Sequence, residues 1–490
     1  MGDLGLEAGF HDHLNHPRGQ GRLVGSQHAG AAGGAACGDL VRVAVRVEGD
    51  RVAEAGFDAS GCGAVTAAAS AAVTLVQGEA FLDAARVTPD DVADALGGLI
   101  PSKRHAAELV ADALHRALGA AAKDGACVLE PSPTRTLVAM SGGVDSAVAA
   151  KLALDRGDEV VAVTLELWAD PAGDGSLSCC SPQAVTGARA LAHRMGLPHV
   201  TLDLRQSFRR EVVEDFLSEH GAGRTPNPCV RCNGLVRFDA MLELAGRLGA
   251  PRLATGHYAR VERDPSGPLL RAAADPQKDQ TYMLARLRPE QLERTWFPLG
   301  ELEKPAVRAL ARAAGLPVAE KPESQDLCFL AGTRREDFLR RHGEPGTAGE
   351  IVDLRGRVLG THGGQEGFTV GQRRGIGVAA AEPLYVVGKR GSRVVVGPRE
   401  ALATRTVVVE NAGLLRPGAE VDRVKLRYRS EPLGCRVDGD PPAGSHRRLV
   451  ISLDETVDGA APGQTACLMR GDTILGWATI REPEETADAA

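Results

Sequence analysis

Two sets of residues in this chain are built for chemistry. The first is Ser141-Gly142-Gly143-Val144-Asp145-Ser146, which joins two glycines to two hydroxyls and a carboxylate. Glycines let backbone N–H groups approach an anion, and Ser141 and Ser146 add donors. A helix starting there would lend the partial positive charge of its N-terminus. Asp145 would repel a phosphate directly, so its role is indirect, through Mg2+ or by fixing the loop. The loop lacks the GK[ST] ending of a Walker motif, which argues against γ-phosphate transfer. The second set begins at Pro226-Asn227-Pro228-Cys229-Val230-Arg231-Cys232-Asn233, where two thiols lie three residues apart among prolines. Cys328 follows in Ser324-Gln325-Asp326-Leu327-Cys328-Phe329. A structural zinc site needs a fourth ligand, and no second C-x-x-C follows. Three thiolates suit a persulfide relay or a [4Fe–4S] cluster with one iron left open. Nucleophilic use requires a lowered thiol pKa, and Arg231 and Arg237 are the nearby cations in sequence. Cys127, Cys435 and Cys467 lack any such setting and read as small apolar residues; Cys179 and Cys180 lie in a Gly/Ser-rich loop.

The elements that must hold these residues follow from periodicity. Residues 136–140 (TLVAM) form a short apolar strand pattern running into the loop, and a helix pattern starts at Ser146. An apolar strand at 159–165, a helix at 184–195 and a strand at 198–204 continue the alternation, which implies a parallel, doubly wound α/β sheet. Before it, residues 40–47 (LVRVAVRV) alternate as a half-buried strand. Helix-like Ala-rich stretches at 64–77 and 105–118 complete a small α+β domain. Residues 123–136, rich in Pro, Ser and charge, read as a linker. From about residue 349 short β runs split by Gly and Asp take over, giving an all-β tail of two modules joined near Leu402. The expected division is 1–122, linker 123–134, an α/β domain bearing the 141–146 loop at 135–335, a central β-rich module at 336–401, and a C-terminal β-barrel at 402–490.

A chain of 490 residues is too long for one ordinary core, in keeping with that division. No apolar run reaches the roughly 18–20 residues of a membrane span, and the N-terminus lacks a secretory pattern; a cytoplasmic location is expected. Ten cysteines in that setting are metal ligands or reactive thiols rather than a disulfide framework. The net charge of −7 excludes a blanket of basic surface but leaves local patches for RNA: Arg209 with Arg210, Arg373 with Arg374, and residues 389–393. The spaced glycines at 371–377 (GQRRGIG) lack a strand-to-helix context and do not form a dinucleotide fingerprint.

SGGxDS after a strand is the signature of ATP pyrophosphatases, which cradle pyrophosphate and transfer AMP. Over residues 137–482 the chain resembles the tRNA-specific 2-thiouridylase family, through the runs VAMSGGVDSAVAA, CCSPQAV, GRTPNPCVRCN, ATGHYAR, QKDQTYML, KPESQDLCFL, GQRRGIG, PLYVVGK and LRYRSEP. The resemblance implies conversion of a wobble uridine of tRNA to 2-thiouridine, with ATP adenylating O2 and sulfur then attacking C2. It implies an ATP site at Ala139, Met140, Ser141, Gly142, Gly143, Val144, Asp145, Ser146, Leu165 and Gly256. Cys232 matches the nucleophile and Cys328 the persulfide carrier. Asn227, Pro228 and Cys229 would face the target base, and His257, Lys278, Asp279, Gln280, Arg427, Tyr428 and Gln464 would contact tRNA. Many members of that family carry Asp at the position of Cys229 and run a two-thiol persulfide and disulfide cycle. The third thiol resembles members holding a [4Fe–4S] cluster on three cysteines, here Cys229, Cys232 and Cys328.

Residues 12–118 resemble the IscU/NifU-type iron–sulfur scaffold through DHLNHPRG, ACGDL, SGCGAV and KRHAAELVADAL. Cys37, Asp39 and Cys62 match that family's cluster residues, and His105 matches the residue before its third cysteine, which is Ala106 here. The resemblance implies iron, zinc or a labile cluster on Cys37, Asp39, Cys62 and His105. A degenerate docking domain that recruits a sulfur donor such as a cysteine desulfurase is the alternative. The whole chain is thus expected to be an ATP- and Mg2+-dependent tRNA sulfurtransferase. The competing readings are a cluster or sulfur carrier that docks RNA without catalysis, and an amidating synthetase of the ATP-pyrophosphatase class; the latter would not require the paired cysteines or the β tail.

Overall fold

The computed structural model describes residues 4–33, 38–169, 181–322, 327–330, 332–343 and 346–482. The first domain is an antiparallel sheet in the order β1 (Ala29–Gly33), β2 (Leu40–Glu48), β3 (Arg51–Ser60), covered by helices. Val41, Val43 and Val45 of β2 point into the core while Arg46 and Glu48 stay outside, as the alternation requires. Helix Gly63–Val76 is alanine-rich and lies close against the sheet. The 21-residue helix Arg104–Asp124 runs past residue 118, where its sequence pattern fades, because nothing breaks it before Gly125, which closes it at φ +81°.

The second domain is a five-stranded parallel sheet of β4 (Arg135–Ala139), β5 (Glu159–Glu166), β6 (His199–Asp203), β7 (Arg252–Thr255) and β10 (Thr295–Trp296), ordered β10-β7-β4-β5-β6. The chain builds outwards from β4 through β5 to β6, then returns to the other side of β4 for β7 and β10. The order of winding reverses between β4 and β7, which makes a topological switch point, and α/β sheets bind ligands in the crevice outside the carboxyl ends of such strands.

Helix Arg104–Asp124 joins the two domains by covering edge strand β6. A Cβ on Gly119 would lie 1.9 Å from the Thr201 carbonyl oxygen, so only glycine lets helix and strand meet there. Across the same boundary Arg189 donates to Asp112 (2.7 Å), Arg116, itself held by Asp112 one turn back on its own helix (2.9 Å), donates to Glu166 (2.6 Å), and the His199 N–H donates to the Ala85 carbonyl (2.9 Å). The stretch read as a linker is packed rather than loose. Cys127 is buried, and the Val128 and Leu129 N–H groups donate to Gly49 and Arg247 carbonyls.

The tail holds two β modules. β11 (Gly349–Val352), β12 (Val358–His362), β13 (Tyr385–Arg390) and β14 (Arg393–Gly397) form a sheet ordered β12-β11-β14-β13. β15 (Ala403–Leu414), β16 (Arg423–Lys425), β17 (Leu433–Val437), β18 (Gly444–Asp458), β19 (Thr465–Arg470) and β20 (Thr473–Ile480) run β15-β18-β17-β16-β19-β20 and close through β15–β20 into a barrel. The hairpin β8 (Arg260–Asp264) and β9 (Gly267–Arg271) leaves the α/β domain and pairs with β20, fastening barrel to domain. Arg416 reinforces the joint with two hydrogen bonds to Asp264 (3.0 and 2.6 Å). The multidomain architecture expected from the sequence is therefore present. Among the described residues no helix is long and apolar enough to cross a membrane.

Candidate active site and cysteine centre

The loop 141–146 leaves the carboxyl end of β4 and enters helix Val144–Asp155, whose N-cap, Gly143, supplies no side-chain cap. The first N–H groups of that helix are therefore open to an anion. The Ser146 hydroxyl donates to the Gly143 carbonyl (3.0 Å) and accepts from the Ser141 N–H (3.1 Å), which folds the loop into a cradle. Gly142 sits at φ +71° against Ala188, a conformation that favours glycine. Register sets Ala139 beside Thr255 on β7 and Val163 on β5, so Gly256 and Leu165, just beyond, flank the loop. A Cβ on Gly256 would meet the Asp145–Ser146 backbone at 2.8 Å, so this glycine is needed for the loop's fit.

Asp145 fixes the loop. Its carboxylate accepts from the Tyr258 hydroxyl (2.8 Å) and from the buried Lys304 ammonium (2.7 and 2.8 Å), and Lys321 donates to the Gly142 carbonyl (2.9 Å). Sequence reading missed Lys304, Lys321 and Tyr258. Tyr258 and Lys321 lie in the runs ATGHYAR and KPESQDLCFL that were singled out, without a role being given to either, whereas nothing near Lys304 marks it.

Cys229 and Cys232 lie on the short helix Pro228–Cys232, Cys232 only 4 % exposed and Cys229 half-buried. Asn227 caps this helix, its Oδ1 accepting from the N–H groups of Cys229 and Val230 (both 3.2 Å). Arg231 is paired with Asp215 (3.3 Å). Phe329, next to half-buried Cys328, packs on Phe216 with ring centroids 5.1 Å apart. Asp215 and Phe216 are neighbours on helix Glu214–Gly221, so both cysteine segments lie against one helix. Tyr428 is half-buried, which raises its hydroxyl pKa; Asp279 and Cys229 act in the same direction, against Arg429 and Lys278. The barrel thus brings Tyr428 to the cysteine helix and to the 278–280 segment.

Several residues expected to contact tRNA also hold the fold. The Gln280 side-chain carbonyl accepts from the Tyr258 N–H (3.0 Å), and Asp279 accepts from the Ala273 N–H (3.1 Å) and the Thr281 hydroxyl. The His257 ring accepts or donates at Thr255 Oγ1 (2.9 Å) and lies between Phe238 and Phe297, a setting that pulls its pKa down to about 4. Arg427 is exposed and donates to the Gly459 carbonyl (3.2 Å). Of the basic patches, Arg210 is paired with Glu211 (2.9 Å) and Arg393 with Glu350 (3.0 Å). Burial pushes the Cys127 and Cys435 thiols up to about 12 and raises Cys467 too, in line with inert apolar roles.

In the first domain Asp39, Cys62 and His105 bring one ligand atom each within 4.8 Å of one another. Asp39 Oδ1 accepts from the Cys62 N–H (2.7 Å), its Oδ2 accepts from Cys62 Sγ (3.3 Å), and His105 Nε2 lies 3.0 Å from Oδ2. These hydrogen bonds hold the Asp39 carboxyl below its ordinary range. Gly61 makes the approach feasible, since a Cβ there would fall 2.1 Å from Asp39 Oδ1. Ala106 points into the core and is fully buried. Cys37, Cys179 and Cys180 lie outside the described residues.

Comparison with known proteins matches four segments of the chain to family models. The family described as "NifU-like N terminal domain" matches residues 8–125, "tRNA methyl transferase HUP domain" 134–332, "tRNA methyl transferase PRC-barrel domain" 336–397, and "Aminomethyltransferase beta-barrel domain" 416–480. The chain is 47% identical over 477 residues to the Bifunctional protein NifU/MnmA of Rubrobacter xylanophilus, covering 94% of this chain and 95% of that one. It is 41% identical over 367 residues to the tRNA-specific 2-thiouridylase MnmA of Geotalea uraniireducens, covering 72% of this chain and 97% of the relative. A similar protein of Zymomonas mobilis, with the same description, is 42% identical over 357 residues.

Proposed function

This chain belongs to the tRNA-specific 2-thiouridylase family, enzymes of tRNA sulfur transfer, with a NifU-like domain at its N-terminus, and we propose that it thiolates C2 of a tRNA uridine in two ATP-driven steps. ATP, as its Mg2+ complex, binds at the carboxyl ends of β4, β5 and β7, with its phosphates on the 141–146 cradle. The uridine O2 attacks the α-phosphorus, pyrophosphate leaves, and the base carries O2 as an AMP ester. That ester turns a poor leaving group into a good one. The terminal sulfur of a Cys328 persulfide then attacks C2, AMP departs with the oxygen, and the Cys232 thiolate attacks the Cys328 sulfur. Sulfur stays on the base, and a Cys232–Cys328 disulfide forms, which an external thiol reductant must reopen. A protein sulfur donor reloads Cys328.

The observation that carries this reading is the built loop, with its uncapped helix start and glycine-fitted neighbours, in the same domain as a helix bearing two thiols. Asn227, Pro228 and Cys229 are assigned to the base, and Lys278, Arg427 and Tyr428 to tRNA, from the resemblance to the 2-thiouridylase family, and the interaction of Tyr428 with Cys229 and Lys278 supports that grouping. The test is pyrophosphate release from ATP with tRNA, together with mass spectrometry of tRNA nucleosides. Cys232→Ser should keep pyrophosphate release and lose 2-thiouridine. If tRNA from a deletion strain still contains its 2-thiouridine, the reading is wrong.

The extra thiol supports a second route. Cys229, Cys232 and Cys328 offer three thiols, the number that holds a [4Fe–4S] cluster with one iron open, and such a group would supply sulfide. Protein purified without oxygen should then bind about four irons, and Cys229→Ala should lose them; full thiolation by iron-free protein rules this out. For the first domain, the sulfur, oxygen and nitrogen donors of Cys62, Asp39 and His105 suit Zn2+ or Fe2+, with Cys37 as the fourth ligand. Titration with Zn2+ should show one tight site that His105→Ala weakens.

A further inference from the structure

Within its own domain the turn that leads into the thiol helix is tied to the helix before it, where the Ala222, Gly223 and Arg224 N–H groups donate to the Ser218, His220 and Glu219 carbonyls. Both β modules hold it from the other side. From the central module, the Lys389 ammonium donates to the Gly223 carbonyl (2.7 Å) and the Gln365 amide to the Gly221 carbonyl (3.4 Å). The Thr225 hydroxyl donates to Thr369 Oγ1 (3.4 Å). From the barrel, the Pro462 carbonyl accepts from the Thr225 N–H (2.8 Å), and the Gln464 amide donates to the Thr225 carbonyl (2.7 Å). The fit is close on both sides. A Cβ on Gly463 would lie 2.9 Å from Thr225 N, and one on Gly223, at φ +80°, would lie 3.1 Å from the Lys389 side chain. Two residues after Thr225 comes Asn227, the cap that orients Cys229 and Cys232.

We propose that Lys389 and Gln464 are positioning residues for the thiol helix, through which the seating of tRNA on the two β modules fixes Cys229 and Cys232 for sulfur transfer. The bond from Lys389 is charge-assisted and lies in a half-buried place where water competes poorly, so it outweighs a neutral surface contact. Burial and Arg335 together draw the Lys389 amine down to about 8, against Glu482 and Glu366, yet its N–H still meets the Gly223 carbonyl. Gln464 is the more telling case. Resemblance assigns it to tRNA, but its amide is already bonded to the turn, so its effect on tRNA chemistry passes through Thr225. This rests on the tRNA-thiolating function proposed above.

The test uses the full chain and compares Lys389→Met, Lys389→Arg and Gln464→Met. Three quantities are read: kcat at saturating tRNA, tRNA affinity, and the rate at which iodoacetamide alkylates Cys229 and Cys232, resolved by peptide mass spectrometry. Lys389→Met is expected to lower kcat about tenfold or more, with tRNA affinity changed by less than about twofold. It should also shift the alkylation rate, and Lys389→Arg should restore most of both. Gln464→Met should show the same split, and it serves if Lys389→Met does not fold. A variant that weakens tRNA binding about tenfold while kcat at saturation stays unchanged makes the residue an RNA contact and overturns the proposal. Unchanged alkylation in both variants also overturns it. The alkylation arm needs no turnover, so if wild-type protein makes no 2-thiouridine the thiolation reading fails while this one is still judged.

Discussion

Lys304 stands in a stretch, ELEKPAVRAL, that reads only as a helix start, yet its ammonium is the chief partner of the carboxylate inside the phosphate loop. Lys304→Met would leave Asp145 to Tyr258 at the mouth of an anion site, where an unbalanced carboxylate opposes the incoming phosphates. Water reaches Asp145, so the loss is smaller than for a fully buried pair, about 2 kcal/mol. Pyrophosphate release should fall accordingly, and an unchanged rate would remove Lys304 from the site. Asn227 allows a finer test. Asn227→Ala removes the cap of the thiol helix, typically worth about 1 kcal/mol, while Asn227→Ser keeps an acceptor in place. Thiolation should drop in the first variant and largely survive in the second. The hexapeptide and the paired cysteines were legible from residue types alone. Lys304 was not, because a charge that acts through a partner far away in the chain leaves no local pattern.

At the scale of elements, strand and helix positions were legible wherever one face is buried. The β2 pattern LVRVAVRV and the strand of residues 136–140 were read within a residue or so of their observed bounds, since burial imposes the period the eye detects. Helix Arg104–Asp124 was read too short, because its later turns pack on two domains at once and so lose a one-sided stripe. Gly119 shows the consequence. Gly119→Val would force the helix away from the Thr201 carbonyl and cost about 1–3 kcal/mol through overpacking. Calorimetry should register a lower midpoint, and proteolysis between the first two domains should speed up; an unaltered midpoint would mean that the helix is not seated on β6.

For the molecule as a whole, the junction of the first two domains carries its own pH dependence. His193 contacts the Ala85 carbonyl (3.2 Å) across it, beside His115 (ring centroids 5.1 Å) and His199 (6.3 Å), all near Arg189. Burial, opposed by the hydrogen bond to Ala85, draws His193 down to about 4 from 6.5, and lowers His115 and His199 as well. The native state therefore stays neutral where the unfolded chain takes up protons. Stability is retained above about pH 6.5 and falls as pH drops towards 4, by about 3 kcal/mol from His193 alone. Urea midpoints at pH 7 and pH 5 should differ, and His193→Gln should narrow the difference.

The sequence by itself determined the classes of chemistry, since a strand, a glycine–serine loop and spaced thiols need only local order to be recognised. It also determined the run of domains, because each changes the period and texture of the chain. What only the tertiary structure decided is how those parts address one another. The barrel is fastened by a hairpin lent from the α/β domain, the first domain's helix covers an edge strand of the second, and the turn before the thiols is held by two modules that follow it by well over a hundred residues. Such contacts depend on surfaces matched across long separations, and hydrophobic periodicity records only that a face is buried, not what buries it.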